Sequence, residues 1–324
     1  MKHTIWILLD NRIGSRHQAE GIANYLDSSK FEIIFKEIEY TKWAALPNII
    51  RGRTLLGISE NAKCRLTAPF PDMVLSTTRR TAPVARWIKK RNPATQLFQL
   101  LHIGRIGIKD FTTIFTPEHD SYKCKSPNIK YTVGSPHFIT KEKLETAYNE
   151  WQNVFSNLPR PITAVIIGGS IKKHPFSLEN AANLAKHIKK IKATDNGSIL
   201  ITTSRRTGAE AEKLIMDNLS DIPNYAYLWG AKGANPYLGF LACADNIIVT
   251  GDSVSMCCEA TAARKPLAIY TGSNWLTAKH LRFVQSLYNK NYAIELSPHA
   301  FSQTNKQPQP LNVAKEIAEY LNTK

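Results

Sequence analysis

Short apolar runs alternate along most of the chain with stretches in which apolar positions return every three or four residues. The runs predict strands, the 3.6-residue rhythm predicts amphipathic helices, and their alternation predicts βα units that build parallel sheets. In the first half strands fall near residues 4–9, 31–38, 73–76, 96–101 and 112–115, and helices near 16–26, 83–90 and 141–155. Asn157-Leu158-Pro159-Arg160-Pro161 cannot continue a helix through its prolines, and a fresh apolar run follows, so a domain boundary is expected there. In the second half strands near 163–167, 198–202, 225–228, 246–249 and 267–270 alternate with helices near 178–190, 209–218, 236–243, 254–263 and 277–288. A polar, proline-containing stretch, SQTNKQPQP, then precedes an amphipathic segment at 311–321 that reads as a separate closing helix. The expected domains are therefore 1–158 together with 311–324, and 159–310.

The two halves echo each other. A strand, Gly14-Ser15 and a helix open the first; a strand, Gly168-Gly169-Ser170 and a helix open the second. Each then carries a strand that ends in Arg-Arg-Thr, at Arg79-Arg80-Thr81 and at Arg205-Arg206-Thr207. The Gly-Ser pair returns after 155 residues and Arg-Arg-Thr after 126, so the first half holds 29 more residues between its motifs. Residues 40–69, with little periodicity, are the expected insertion.

Composition narrows the class. A chain of 324 residues exceeds the usual single core, and 43% apolar with 21% charged residues is the mix of a folded globule. The apolar runs fall far short of the roughly 20 residues that cross a bilayer. Five apolar residues before Asp10 are too few for a signal peptide's hydrophobic region of about 7–15, so the chain is expected to stay in the cytoplasm. The five cysteines, Cys64, Cys124, Cys243, Cys257 and Cys258, form no CxxC pair or metal-ligand cluster and are expected to be free thiols. A net charge of +16 suggests an anionic partner, for which nucleic acid, an anionic membrane surface and phosphorylated small molecules all qualify. A lysine-rich, solvated surface accounts for the same number.

Several stretches could carry chemistry. After the run at 246–249, Gly251-Asp252-Ser253 leads into a helix whose first amide hydrogens are unpaired, a ready anion site. Ser255 and Glu259 lie four residues apart on one helix face, about 6 Å along the axis, which suits a nucleotide diphosphate with its ribose on the carboxylate. A plain N-capped helix with a surface glutamate fits the same residues. Thr207 and Glu210 form a T-x-x-E pattern that predicts a capping box with Thr207 as N-cap. Arg205 and Arg206 then stand at the positive end of a helix dipole, which predicts either a phosphate clamp or an arginine paired with a neighbouring loop's carboxylate. Arg79 and Arg80 follow the same logic, with Pro83 in the first helical turn. Gly168-Gly169-Ser170 lacks the third glycine of a dinucleotide fingerprint, so NAD is weakly supported. Asp10, at the end of the first strand, and Glu118, His119 and Asp120, after another, would reach the carboxyl edge of a parallel sheet; with His17 they are the candidates for a general base. No DxD occurs, which disfavours a metal-clamped diphosphate.

Taken together, Pro71-Asp72-Met73-Val74 through Arg79-Arg80-Thr81-Ala82-Pro83, Thr116-Pro117-Glu118-His119-Asp120, Thr203-Ser204-Arg205-Arg206-Thr207, Asn235-Pro236-Tyr237, and Val249 through Met256 with Glu259 resemble the bacterial members of the mitochondrial fission ELM (elongated mitochondria) family. The resemblance spans nearly the whole chain, and those bacterial members look like GT-B glycosyltransferases related to the enzymes of lipopolysaccharide outer core. It implies an α/β chain of the GT-B class: two Rossmann-like domains facing across a cleft, with a C-terminal helix crossing back to the first. It further implies that Gly169, Ser170, Ser204, Arg205 and Arg206 face a donor diphosphate. Trp229 and Gly230 would lie near the base, with Asn235 in the same donor set, and Ser253, Val254, Ser255 and Met256 with Glu259 would hold phosphate and ribose. Asp10, Gly14 and Gln18 match the family's opening pattern. His17 falls where that pattern does not require histidine and is set aside as the base; Gly251 stands where alanine is more usual.

The expected function is metal-independent transfer of a sugar from a nucleotide sugar to a glycolipid or cell-envelope polysaccharide of the lipopolysaccharide-core type, with no cofactor and no nucleic acid. Asp10 or Glu118 would be the catalytic base, and Gly14, Gln18, Arg79, Arg80, His119 and Asp120 would line the acceptor side. The basic surface would attach the protein peripherally to the inner face of the cytoplasmic membrane. Two alternatives share the fold: a non-enzymatic membrane-associated adaptor, and a sugar-nucleotide epimerase.

Overall fold

The structure, a computed structural model, describes residues 2–120, 125–302 and 310–324. Cys124 and residues 303–309 of the polar stretch before the closing helix lie outside the described residues. The chain divides into two compact units, Met1–Phe138 with Asn312–Lys324, and Ile139–Leu311.

The first unit runs β1 (His3–Leu9), α1 (Ile13–Ala23), β2 (Phe31–Glu37), α2 (Asn48–Arg51), α3 (Glu60–Cys64), β3 (Met73–Ser76), α4 (Ala82–Arg91), β4 (Gln96–Leu100), β5 (Thr113–Pro117) and β6 (Ile129–Thr132). Its strands form one parallel sheet in the order β2-β1-β3-β4-β5-β6. In β1 the residues from Ile5 to Leu9 are all buried, because helices cover both faces of a parallel sheet and leave no polar side to alternate with. Trp6, Leu8, Val74, Ile88, Leu97 and Ile114 belong to one core cluster. Residues 40–69 do interrupt the βα rhythm: a 3-10 turn at Lys42–Ala45 and the short α2 and α3 are held by an antiparallel bridge between Tyr40 and Ile58.

The second unit runs α5 (Lys141–Trp151), β7 (Ile162–Ile166), α6 (Leu178–Asp195), β8 (Ser198–Thr202), α7 (Ala209–Asn218), β9 (Asn224–Tyr227), α8 (Tyr237–Cys243), β10 (Asn246–Thr250), α9 (Val254–Ala262), β11 (Leu267–Tyr270), α10 (Ala278–Asn289) and β12 (Ile294–Glu295). Its parallel sheet has the order β12-β11-β10-β7-β8-β9. The last helix, α11 (Val313–Asn322), belongs to the first unit. There Tyr320 sets its ring edge-on against Phe98 and Phe115 and shares a 2.9 Å hydrogen bond with Thr113, while Asn322 accepts from the Asp27 amide.

Three expectations change. The units divide at Phe138/Ile139, ahead of the proline-rich segment, because α5 packs on α8 of the second unit: Trp151 stacks on Phe155, whose ring meets Tyr225 and Phe240. The edge strands β6 and β12 were not expected; Lys130 and Tyr131 leave β6 largely exposed, and β12 is two residues long, so neither shows an apolar run. The T-x-x-E capping box does not form. Gly208 is the N-cap of α7 without a side-chain cap bond, since Thr207 is spent elsewhere.

Candidate functional site

In an open parallel sheet a ligand crevice forms at the carboxyl ends of the strands, where the order reverses about one strand. In the second sheet that point lies between β7 and β10, and in the first between β1 and β3.

The loops leaving β7, β8 and β10 are sewn together around Asp252. Its side chain is fully buried, and Oδ2 accepts from the Gly169 amide at 2.9 Å and pairs with Arg206 Nη1 at 2.8 Å. Oδ1 accepts from the Thr250 hydroxyl, which in turn accepts from the Gly168 amide. Burial pushes the Asp252 carboxyl up, against the hydrogen bond from Thr250 and the charge of Arg206. Arg206 also donates to the Ser170 carbonyl, and the Ser170 amide donates back to the Arg206 carbonyl at 2.8 Å. Gly169 is required for this closeness. Its φ is +143°, and a Cβ there would stand 2.1 Å from the Arg206 carbonyl carbon.

Thr207 explains its own place. Its hydroxyl accepts from the Ser204 amide at 3.0 Å and donates to the Gly168 carbonyl at 2.7 Å. The first Arg-Arg-Thr repeats the arrangement: Thr81 Oγ1 accepts from the Thr78 amide at 3.1 Å, and the Arg80 amide donates to Thr78 Oγ1 as the Arg206 amide does to Ser204 Oγ. The shared unit is therefore a hydroxyl-closed turn, Thr78-Arg79-Arg80-Thr81 and Ser204-Arg205-Arg206-Thr207. It holds two arginines at the head of a helix in each sheet.

The second turn separates its arginines. Arg206 is committed to Asp252, while Arg205 is exposed and has no ion pair among the described residues. Across the same switch point α9 begins at Val254, capped by Ser253, whose hydroxyl accepts from the Met256 amide; Ser255 is exposed and Val254 and Met256 are half-buried. Glu259 is half-buried, and Oε2 accepts from the Tyr237 hydroxyl at 2.6 Å. Burial raises this carboxyl too, and Tyr237 is itself pushed well above its ordinary value by burial and by the Glu259 charge. Trp229 is 62% exposed beside Gly230, and its amide donates to Thr203 just before the second turn. Asn235 is exposed, and its side-chain oxygen accepts from the Tyr237 amide.

In the first unit Asp10 follows β1. Its side chain is fully buried, Oδ1 accepts from the Arg12 amide at 2.9 Å, Arg12 Nε lies 3.8 Å from Oδ2, and Oδ2 takes no hydrogen bond among the described residues. Ser15, in the first turn of α1 beside exposed Gly14, shares a hydrogen bond with Thr77, which donates to the Leu8 carbonyl; β1, β3 and α1 are thereby tied at the switch point. Gln18 is half-buried, and His17 rests its ring on Phe138. Arg79 donates through Nε to the His102 carbonyl, and Arg80 stacks on Tyr40, 3.9 Å from the ring centroid. Glu118, His119 and Asp120 form a 3-10 turn after β5, with Glu118 exposed and His119 buried. Asp252, Thr250 and Tyr237 stand inside motifs that the sequence shows, but no task for their side chains could be read from it. Asp252 stood inside the Gly-Asp-Ser turn, but nothing in the sequence showed that its carboxylate turns inward.

Residues 13–324 match the family model described as Mitochondrial fission ELM1. The chain is 28% identical over 348 residues to "Uncharacterized protein RP120" of Rickettsia prowazekii, covering 98% of this chain and 97% of that one. It is 27% identical over 283 residues to "Mitochondrial fission protein ELM1" of Arabidopsis thaliana, covering 81% of this chain and 66% of the plant protein. Among solved structures, a UDP-GlcNAc 2-epimerase from Methanocaldococcus jannaschii matches with a TM-score of 0.60 at 12% identity, covering 99% of this chain and 100% of that one. A glycosyltransferase from Rickettsia africae matches with a TM-score of 0.51 at 14% identity, covering 99% of this chain and 93% of that one. At such identities the likeness shows the fold, which is GT-B: two Rossmann-like units, each with its parallel sheet.

Proposed function

The chain belongs to the mitochondrial fission ELM1 family, and on that premise we propose that it is a glycosyltransferase using a nucleotide-activated sugar. The observation that carries this reading is the switch point of the second unit. There the exposed Arg205, without an ion pair among the described residues, and the N-terminus of α9 belong to loops that Asp252 ties to the 168–170 backbone. Donors that are held before a ligand arrives need little reorganisation when charge develops on a departing diphosphate. Arg205 and the α9 amides would take that charge, and Glu259, with Oε1 left by Tyr237, would accept from ribose hydroxyls. Arg206 acts through Asp252, as a positioning residue.

The acceptor is proposed to be a glycolipid or cell-envelope polysaccharide, of the lipopolysaccharide-core type, at the inner face of the cytoplasmic membrane. The +16 charge supports that location, at about 1 kcal/mol per basic residue near an anionic surface. Asp10 or Glu118 would take the acceptor proton. The buried, half-satisfied carboxylate of Asp10 favours the first.

Thermal-shift titration with UDP, GDP, CMP and ADP tests the reading. One nucleoside diphosphate or monophosphate should raise the melting temperature, and Arg205→Ala should weaken its binding roughly tenfold, the effect of losing a charge-assisted hydrogen bond. Silence from every nucleotide would sink it. Product analysis with and without an acceptor separates transfer from epimerisation of the donor.

A further inference from the structure

The insertion at residues 40–69 does more than lengthen the first unit. Together with the first Arg-Arg-Thr turn it encloses a groove of about 660 Å³ lined by Arg12, Lys42, Arg51, Arg79 and Arg80 and by the amide of Asn48. Its apolar wall comes from residues 44–47 and Ile103.

Two features make this groove unlike a solvated basic face. Arg51 is fully buried, the only charged side chain among the largest such residues; Nε donates to the Leu56 carbonyl, and Nη2 has no hydrogen-bond partner among the described residues. A buried guanidinium without an anion is costly, and the cost is compounded by the like charge of Arg80 nearby. The carboxylates of the region are also occupied. Asp110 is taken by Arg53 and Arg86, Glu39 by Arg65, and Glu37 by Arg16. Among the described residues Lys42, Arg51 and Arg80 make no ion pair; Asp10, engaged with Arg12, faces Tyr40, and Asp120 acts on His102 beside Arg79.

The cluster is also held in place. Arg80 is stacked on Tyr40, whose hydroxyl is buried and unpartnered among the described residues, and Asn48 Nδ2 donates to the Arg79 carbonyl, fixing α2 against the turn. Guanidinium forks fixed by stacking and backbone bonds lose little freedom when they engage a tetrahedral anion.

We infer that this groove, lined by residues of the first unit alone, is a binding site for a phosphate group, and the inference does not rest on the nucleotide site proposed in the second unit. The phosphate is a monoester or diphosphate whose oxygens meet Arg51 Nη2, Arg80 and Lys42. Its carrier is either a soluble molecule or a lipid. Trp43, Ile49 and Ile50, 55, 63 and 57% exposed on the same segment, offer a hydrocarbon carrier a surface.

The experiment has two arms, both on the full chain carrying Arg205→Ala so that the second unit contributes little. Calorimetric titration with pyrophosphate at constant ionic strength reads the soluble arm. Co-sedimentation with phosphatidylcholine vesicles, with or without phosphatidic acid, reads the lipid arm. Binding in either arm that Arg51→Met and Arg80→Gln each weaken roughly tenfold or more supports the site, and the responding arm identifies the carrier. Arg80→Gln removes only a half-buried group at the groove and should keep the fold, so it decides the matter even where Arg51→Met does not fold. Absence of binding in both arms, or binding that Arg80→Gln leaves unchanged, overturns the inference.

Discussion

Glu259 holds its proton more tightly in the folded chain than in the unfolded one, because burial opposes its charge more than the Tyr237 hydroxyl supports it. For an acid raised above its ordinary 4.5, the folded state is favoured most below that value and loses this advantage as pH rises through the folded pKa. Glu259→Gln keeps the shape without the charge. Its urea midpoint should therefore gain on the wild type as pH rises above 4.5, and a difference that stays flat would show the carboxyl at its ordinary value. Serine and threonine hydroxyls decide much else at this scale. Arg-Arg-Thr was visible twice in the chain, but its meaning lies in bonds from Thr81 and Thr207 back to amides three residues earlier. Those bonds depend on a turn geometry that composition does not reveal. For the same reason the choice between a phosphate clamp and a carboxylate pair could not be made from sequence. The structure gives Arg206 to Asp252 and leaves Arg205 exposed, without an ion pair among the described residues.

Helix α8 shows how one missing side chain seats a whole element. A Cβ on Gly239 would stand 2.4 Å from Trp151 Cγ and 2.8 Å from Trp151 Cβ, an atom bonded to the backbone of α5 that no rotamer change can move. Gly→Ala in an exposed helix gains up to about 1 kcal/mol. Here overpacking should outweigh it, and Gly239→Ala should lower the stability of the second unit by about 1–3 kcal/mol in chemical denaturation. A more stable variant would mean that α5 does not rest on α8. Buried strands were legible because β7, β8, β10 and β11 are nearly continuous apolar runs, and α6 because its apolar rhythm persists for 18 residues. The edges were not: a strand paired on one side only, such as β6, needs no apolar run. The allegiance of α5 was hidden too, since an amphipathic helix shows that it has a buried face but not which sheet's helices it meets.

Across the whole molecule, the repeated strand, Gly-Ser and Arg-Arg-Thr order was enough to expect two Rossmann-like units, and two six-stranded parallel sheets are present. The 29-residue surplus located the insertion, whose groove could not be foreseen because Arg51 lies in an unremarkable Asn-Ile-Ile-Arg stretch. The closing helix was legible as amphipathic, and its consequence for stability can be tested. Val313, Ile317 and Leu321 of α11 are essentially fully buried, each worth roughly 1.5–3 kcal/mol, and Ala314 and Ala318 add to them. Losing about 5 kcal/mol or more would consume much of the 5–15 kcal/mol that typically holds a domain. It would also bare the edges of Phe98 and Phe115 now covered by Tyr320, and release the Asp27 amide and the Tyr25 hydroxyl from Asn322 and Asn312. Removal of residues 312–324 should therefore unfold the first unit at physiological temperature while the second keeps its own transition, because α11 belongs to the first unit and none of its residues is in the second unit's core cluster. Calorimetry followed by limited proteolysis would read this as one lost transition and selective cleavage within residues 1–138. A truncated chain that melts like the full one would show that the first sheet is closed without its last helix.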